Sequence, residues 1–359
     1  YLTGNPQITF FKVVYRRHTN FSCEDIEQTF NGNADFGRTV TCNINRNGDL
    51  VSNMCLKIDI AAGTVTEEYV TRLGYAVIET VKVEIGGSKI DEHTGNWMNI
   101  WHELTRDNSH DVGYTAILGG GVDADAGTQT LYVPLQFWFC RNPGLALPLI
   151  ALQYHDVRVT VKFADSADCV SQSSDTNIGT HDTIPSFTDA ILLTEYVYLD
   201  SEERKRFAQA SHEYLIEQVQ DSGLENVSST NEKYRLNFNH PCKCLVWACQ
   251  GAQTVEDNEF DYSVSSANTV EEAVLQLNGH DRFAKRAGDY FNWVQPERHF
   301  SNSPAVGINV YSFAINPEEH QPSGTCNFSR IDNAVLSYTV SNSNAVAATG
   351  TATTNKNTL

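Results

Sequence analysis

Long apolar runs, basic charge, methionine and the familiar catalytic signatures are all scarce or missing in this sequence, and each shortage excludes a class of function. The apolar stretch Gly144–Leu152, GLALPLIAL, is interrupted by Pro148 and gives out at Gln153, Tyr154, His155 and Asp156. A membrane-spanning helix needs about 20 consecutive apolar residues. Cations are outnumbered, 25 Lys and Arg against 44 Asp and Glu, for a net charge of −19 and a pI near 4.9. Phosphate backbones repel such a chain, so no direct contact with nucleic acid is expected. Anionic lipid repels it too, except at a local basic patch. None of the 11 His forms the H-x-H pair of a metal-binding cupin. His102-Glu103 and His212-Glu213 begin like a zinc-protease helix, but no His follows at the fifth position. There is no G-x-S-x-G and no G-x-x-x-x-G-K-[ST]. The expectation is a chain with no catalytic residues, no metal site and no cofactor.

Cysteine is present but unpatterned. Nine is an odd number, and Cys242, Cys244 and Cys249 cluster without a matching second half. Buried thiols on strands explain them better than a zinc site does, and such usage fits a protein made in a reducing cytoplasm. The sequence opens on Tyr1 with no signal-peptide pattern, and is expected to be a trimmed form of a longer product. Its end, SNSNAVAATGTATTNKNTL, reads as a polar loop.

What the sequence does hold is strand pattern. Aromatics are plentiful, with 17 Phe, 15 Tyr and 5 Trp against 2 Met, which suits sheets better than bundles. In Val157–Phe163 the residues Val157, Val159, Val161 and Phe163 alternate with Arg158, Thr160 and Lys162. That period of two predicts one buried face, with Arg158 and Lys162 solvated or paired across an edge. Similar runs are predicted as strands at Leu50–Ile60, Ala76–Ile85, Gln129–Phe139, Asp189–Leu199, Tyr234–Asn239, Leu245–Cys249, Ala273–Leu277, Gly307–Ile315 and Ala334–Val340. Turn pairs at Asn47-Gly48, Gly86-Gly87 and Asn278-Gly279 separate several of them. One helix is predicted, Ser201–Gln209, with Ser201 as its N-cap.

The order of these elements repeats. Val83–Asn99, VEIGGSKIDEHTGNWMN, is similar to Leu275–Asn292, LQLNGHDRFAKRAGDYFN. Leu131–Pro143 is similar to Val310–Pro317, each an apolar run ending in Asn-Pro, and His155–Phe163 parallels Ile331–Val340. The offset, roughly 175 to 195 residues, is too long for a solenoid. It points to a duplicated β-sandwich with domains at residues 1–205 and 206–359, each of an ordinary size.

Blocks of the sequence also resemble a known family: YLTGNPQITFFKVVYRRHTNF, NRNGDL, VEIGG, NPGLALPLIALQYHDV, RFAQASHEYLIEQ, RLNFNHP, LNGHDRF and QPSGTCNFSRIDNA. In this order they resemble the major capsid proteins of large icosahedral DNA viruses, nearest to the phycodnavirus branch. The resemblance implies an all-β double jelly roll, two tandem eight-stranded sandwiches, and a homotrimer forming a pseudo-hexagonal capsomer of the outer shell. It implies neighbouring capsomers and minor capsid proteins as partners, an internal viral membrane nearby, and assembly in the host cytoplasm. Family chains end on an apolar strand that this sequence lacks, so the second sandwich is expected to miss its final strand. The rival reading is a binding module, either a minor capsid or spike protein or a lectin-like glycan-binding double sandwich.

Two sets of residues carry finer expectations. The sequons at Asn20, Asn226 and Asn327 are read as chance matches. Chlorella-virus capsid proteins carry glycans at Ala/Gly-Asn-Thr, and Ala267-Asn268-Thr269 matches that start, which makes Asn268 the candidate for a covalent glycan. Lys12, Arg16, Arg17 and His18 cluster ahead of the first acid, Glu24. They are expected to form an inner-face contact toward anionic partners in the particle.

Overall fold

The computed structural model describes residues 19–62, 69–106, 110–121, 127–170, 186–227, 229–250, 260–264, 266–341 and 356–358. Within the first 200 residues run β1 (Phe21–Thr29), β2 (Thr39–Asn43), β3 (Leu50–Ile60), β4 (Ile78–Ile85), β5 (Ser88–Thr94), β6 (Gln129–Pro134), β7 (Leu147–Pro148), β8 (Val157–Phe163) and β9 (Phe187–Leu199). They form two sheets, β1-β9-β3-β6 with β7 beside β3, and β2-β8-β4-β5. Every pairing is antiparallel. Four strands face four in the strand order of a jelly roll.

The second half repeats the plan. Its strands are β10 (Leu224–Asn226), β11 (Asn231–Arg235), β12 (Pro241–Cys242), β13 (Cys244–Gln250), β14 (Ser263–Val264), β15 (Ala267–Asn268), β16 (Val270–Leu277), β17 (His280–Asp281), β18 (Arg286–Ala287), β19 (Ile308–Ser312), β20 (Cys326–Asn327), β21 (Ala334–Val340) and β22 (Lys356–Thr358). The sheets are β10-β22-β13-β19 and β11-β21-β16-β17, with β18 on β16 and two small hairpins, β12-β20 and β14-β15. Matched by position, β3 corresponds to β13, β6 to β19, β8 to β21 and β4 to β16. The place between β10 and β13, filled by β9 in the first sandwich, is held here by β22, so the final strand expected to be missing is formed, as a short one.

Alternation drives both cores. In β8 the side chains of Val157, Val159, Val161 and Phe163 are buried, Lys162 pairs with Glu79, and Arg158 donates to Asn43 at 3.2 Å. Thr160 departs from the expected wet face and is buried. The turns at Gly86-Gly87 and Asn278-Gly279 carry the positive φ of tight hairpins, joining β4 to β5 and β16 to β17. Asn47-Gly48 is no hairpin, because β2 and β3 lie in different sheets. Gly48 is needed there for space, since a Cβ would lie 2.7 Å from Tyr196 Cβ.

Two predicted strands change character. Ala76 belongs to a helical turn, α1 (Leu73–Ala76), so β4 starts at Ile78. The expected strand Gln129–Phe139 stops at Pro134, which cannot donate to a ladder. Between these lie α2 (Gly95–Thr105) and α3 (Asp111–Leu118), and beyond Pro134 comes α4 (Trp138–Arg141). The predicted charged helix, α5 (Ser201–Gln209), forms with the predicted bounds, but its cap is Asp200, whose carboxylate accepts from Ser201 N.

Candidate functional site: the seam between the sandwiches

The two sandwiches meet at a seam, and α2 is its wedge. Thr94 caps the helix, accepting from Trp97 N at 3.1 Å. Gly95 then lets the backbone press against the carbonyl oxygen of Tyr75, where any Cβ would collide. Met98 and Leu104 point into the first core. Trp97 and Trp101, stacked at 5.6 Å, join Ile100 along a cavity shared with the second sandwich. Opposite them β13 divides its side chains by parity. Leu245, Trp247 and Cys249 fill the second core. Val246 and Ala248 pack with Ile308 and Val310 of β19 in the hydrophobic cluster that includes the first core. Apolar packing is therefore continuous across the seam, and the two sandwiches are held as one body.

Polar contacts fix the register of that packing. Tyr262 donates from its hydroxyl to Asn96 at 3.2 Å. Asn302 donates from its backbone to Leu104 O at 3.2 Å and from its side chain to Glu103 O at 2.8 Å. The extended segment after α5 adds a strap, with Val219 N donating to Asp91 at 3.0 Å. Asp91 is itself buried beside His93, at 2.9 Å. Glu217 on the strap joins all three parts. It pairs with Arg141 of the first sandwich at 3.2 Å, with Lys243 of the second, and lies 3.5 Å from His320 Nδ1. Burial pulls the Arg141 guanidinium below its ordinary value, against the opposing effect of Glu217. It sits 4.3 Å over the Trp101 ring.

A cavity of about 540 Å³ remains under the strap, lined by Trp97, Trp101, Arg141, Glu217, Phe238 and Cys242 among others. Burial pushes the Cys242 and Cys244 thiols up to about 12, which disfavours their thiolate forms. Among the described residues no group of three or more His, Cys, Asp or Glu is placed to hold a metal, and no helix is long and apolar enough to cross a membrane. A second polar network ties α2 to α3. Arg72 donates to Asn99 at 2.5 Å and pairs with Glu103, Arg106 reaches Asp111 at 3.2 Å, and His102 stacks on Tyr114 at 4.0 Å.

The structure scatters the residues singled out from sequence. Asn268 is half-buried at the end of β15. Its amide nitrogen donates to Asn309 at 2.8 Å and its carbonyl oxygen accepts from Val270 N at 3.0 Å. Lys12, Arg16, Arg17 and His18 lie outside the described residues. Asn327 accepts from Ser329 N at 3.1 Å. Sequence reasoning missed the seam. Its one available signal was Trp97 and Trp101, four apart on a helix whose opposite face is also apolar, a sign of burial on two sides.

Comparison with known proteins completes the picture. The model for "Major capsid protein N-terminus" matches residues 9–200, and that for "Large eukaryotic DNA virus major capsid protein" matches residues 203–359. The chain is 48% identical to the major capsid protein of Pyramimonas orientalis virus, over 94% of this chain and 87% of that protein. It is 41% identical to the major capsid protein of Paramecium bursaria Chlorella virus 1, over 94% and 84%. A solved structure of the PBCV-1 virus capsid superposes with a TM-score of 0.81 at 35% identity, covering 98% of this chain and 95% of that one. The Faustovirus major capsid protein shares the fold at 12% identity, with a TM-score of 0.77 over 96% and 90%. Two fused jelly rolls and these matches lead to one conclusion: the chain belongs to the major capsid proteins of large eukaryotic DNA viruses, structural proteins of the virion shell.

Proposed function

We propose that the chain builds the shell as a homotrimeric, pseudo-hexagonal capsomer. The observation that carries this reading is the rigid seam. Two like sandwiches locked side by side form a double-width block, and three such blocks closing around an axis give six near-equivalent flanks for neighbours. The domains act as units divided at residues 205 and 206, within α5. Neighbouring capsomers and minor capsid proteins contact the flanks and base, and assembly takes place in the host cytoplasm. The basic strip of Lys12, Arg16 and Arg17 turns toward the particle interior, where minor capsid proteins and an internal membrane offer anionic partners. A glycan on Asn268 would require its amide to leave Asn309, and intact-mass and peptide mass spectrometry of virion protein decide whether it is present. The role itself is tested by light scattering on native protein. The expected mass is three times the 39.9 kDa of one chain. A stable monomer at micromolar concentration contradicts it.

A further inference from the structure

The nine cysteines show no spacing pattern in the sequence, and all nine are free thiols. The fold nevertheless sets two of them face to face. Cys242 of β12 stands directly opposite Cys326 of β20. The other strand cysteines among the described residues have different neighbours. Cys23, Cys42 and Cys249 face Val197, Val159 and Asn357. Cys55 lies between Pro134 and Leu193, and Cys244 faces Ser312. Opposed residues of an antiparallel pair carry their side chains on one face of the ribbon. Cys242 and Cys326 accordingly both pack against the second core, and both are half-buried.

The ladder around the pair sets its spacing. Two residues along each strand, Phe328 N donates to His240 O at 3.0 Å. Ladder bonds recur at that interval, so Cys242 and Cys326 occupy a hydrogen-bonded position, where Cα atoms lie about 5.5 Å apart. A disulfide spans Cα separations of roughly 4.4–6.8 Å. The flanking backbone is already pinned. His240 N donates to Ser329 Oγ at 2.7 Å, Ser329 N donates to Asn327 at 3.1 Å, and Phe313 N donates to Lys243 O at 2.8 Å. Closure asks chiefly for side-chain rotation, in which the Cys242 thiol gives up the bond it donates to Cys244 O at 3.0 Å.

We propose that Cys242 and Cys326 form a reversible dithiol–disulfide site, open when reduced and closed by a small-molecule disulfide of the glutathione class. Burial raises both thiols, Cys242 to about 12, and at Cys326 the Arg282 guanidinium works against that rise. Cys326 is therefore the first to ionise. Its thiolate attacks one sulfur of the oxidant, forms a mixed disulfide and expels one glutathione thiolate. Cys242 then gives its proton to solvent and attacks Cys326 Sγ, expelling the second. The chain loses two electrons and two protons, and one glutathione disulfide becomes two glutathiones. The new bond ties residue 242 to residue 326 and encloses β13, β16 and β19 in one covalent loop. Lys243, next to Cys242, pairs with Glu217 of the strap, and Cys242 and Thr325 line the cavity beneath it. Closure thus anchors the segment that holds the strap. Free thiols leave the second sandwich able to rearrange while it is being made, and the bond holds it in an oxidising medium. The site does not depend on the trimer.

The test is incubation of the native protein with reduced glutathione alone or with excess glutathione disulfide, followed by alkylation of remaining thiols and non-reducing peptide mass mapping. After oxidation, a linked peptide pair holding Cys242 and Cys326, two hydrogens lighter than the free peptides, is expected. Calorimetry of the same samples should show Tm rising by about 5 °C or more, with the rise reversed by dithiothreitol. Cys326→Ser should remove both the link and the rise. Cys242 and Cys326 that remain alkylated after oxidation, carry glutathione only, or link to other cysteines or another copy overturn the site. A linked pair with unchanged Tm, or an equal rise in Cys326→Ser, overturns the stapling role. The mapping uses the unsubstituted chain, so it decides the site even where the variant fails to fold.

Discussion

The outer face of β13 and β19 and the equivalent face of β3 and β6 share a place in the fold and differ in sequence in an instructive way. Where Val246, Ala248, Ile308 and Val310 meet the first sandwich, the alternate residues are apolar and packed. Where Cys55, Lys57, Asp59 and Tyr132 stand at the same positions, the surface is polar enough to remain in water. One backbone pattern thus serves a permanent contact and a wet surface, and the outward-pointing residues decide which. A strand reveals its own core by its inner residues, and its partner by its outer ones.

The contrast can be broken most forcefully at Val310. Val310→Asp places a carboxylate in the packed seam and costs several kcal/mol, so soluble folded protein should be lost. Tyr132→Asp, on the matching face of the first sandwich, should leave soluble folded protein and change the stability of the fold by less than about 0.5 kcal/mol. Equal effects at the two sites would erase the distinction. Glu217→Gln comes next in size. It leaves Arg141 and Lys243, both largely buried, without their shared anion, and should cost about 2 kcal/mol. Chemical denaturation measures the loss, and limited proteolysis should locate it to the strap at residues 210–223.

A smaller effect is expected from His102, which faces Arg72, Glu103, Arg106 and Asp111. Burial first, then Arg72, holds its pKa below the ordinary 6.5. The unfolded chain therefore binds this proton more readily than the folded one. The stabilisation from His102 is whole above pH 6.5 and is lost as pH falls through the lower folded value. His102→Gln should flatten the decline of Tm across that interval, measured by calorimetry at matched ionic strength. The smallest effect belongs to the exposed pair of Lys162 and Glu79, each 47% exposed. Lys162→Ala should cost less than about 1 kcal/mol and less still in high salt.

Much of the fold was legible because burial on one face writes itself into a strand. β3, β8 and β21 match their predicted bounds, and the internal repeats align the two halves. β1 was missed because seven of its nine residues are exposed, which leaves an edge strand with no alternation to read. The second half of Gln129–Phe139 was misread because Leu135, Phe137, Trp138 and Phe139 are all buried. Such a run looks alike whether it is a strand or a helical turn. The candidate site was less legible. Glu217, Arg141 and Lys243 are far apart in sequence and meet only when the strap crosses the seam, and single charges carry no spacing that announces a partner. Asn268 was chosen on a three-residue context, and nothing in that context showed its bond to Asn309.

The central claim is that the step between the sandwiches inside one chain is repeated between chains. A density map of the purified oligomer, refined without imposed symmetry, measures it directly. The rotation carrying the first sandwich onto the second, and that carrying the second onto the next copy's first, should both be about 60° around one axis, as six units in a closed ring require. Two-fold related copies, or two clearly unequal rotations, would contradict the account.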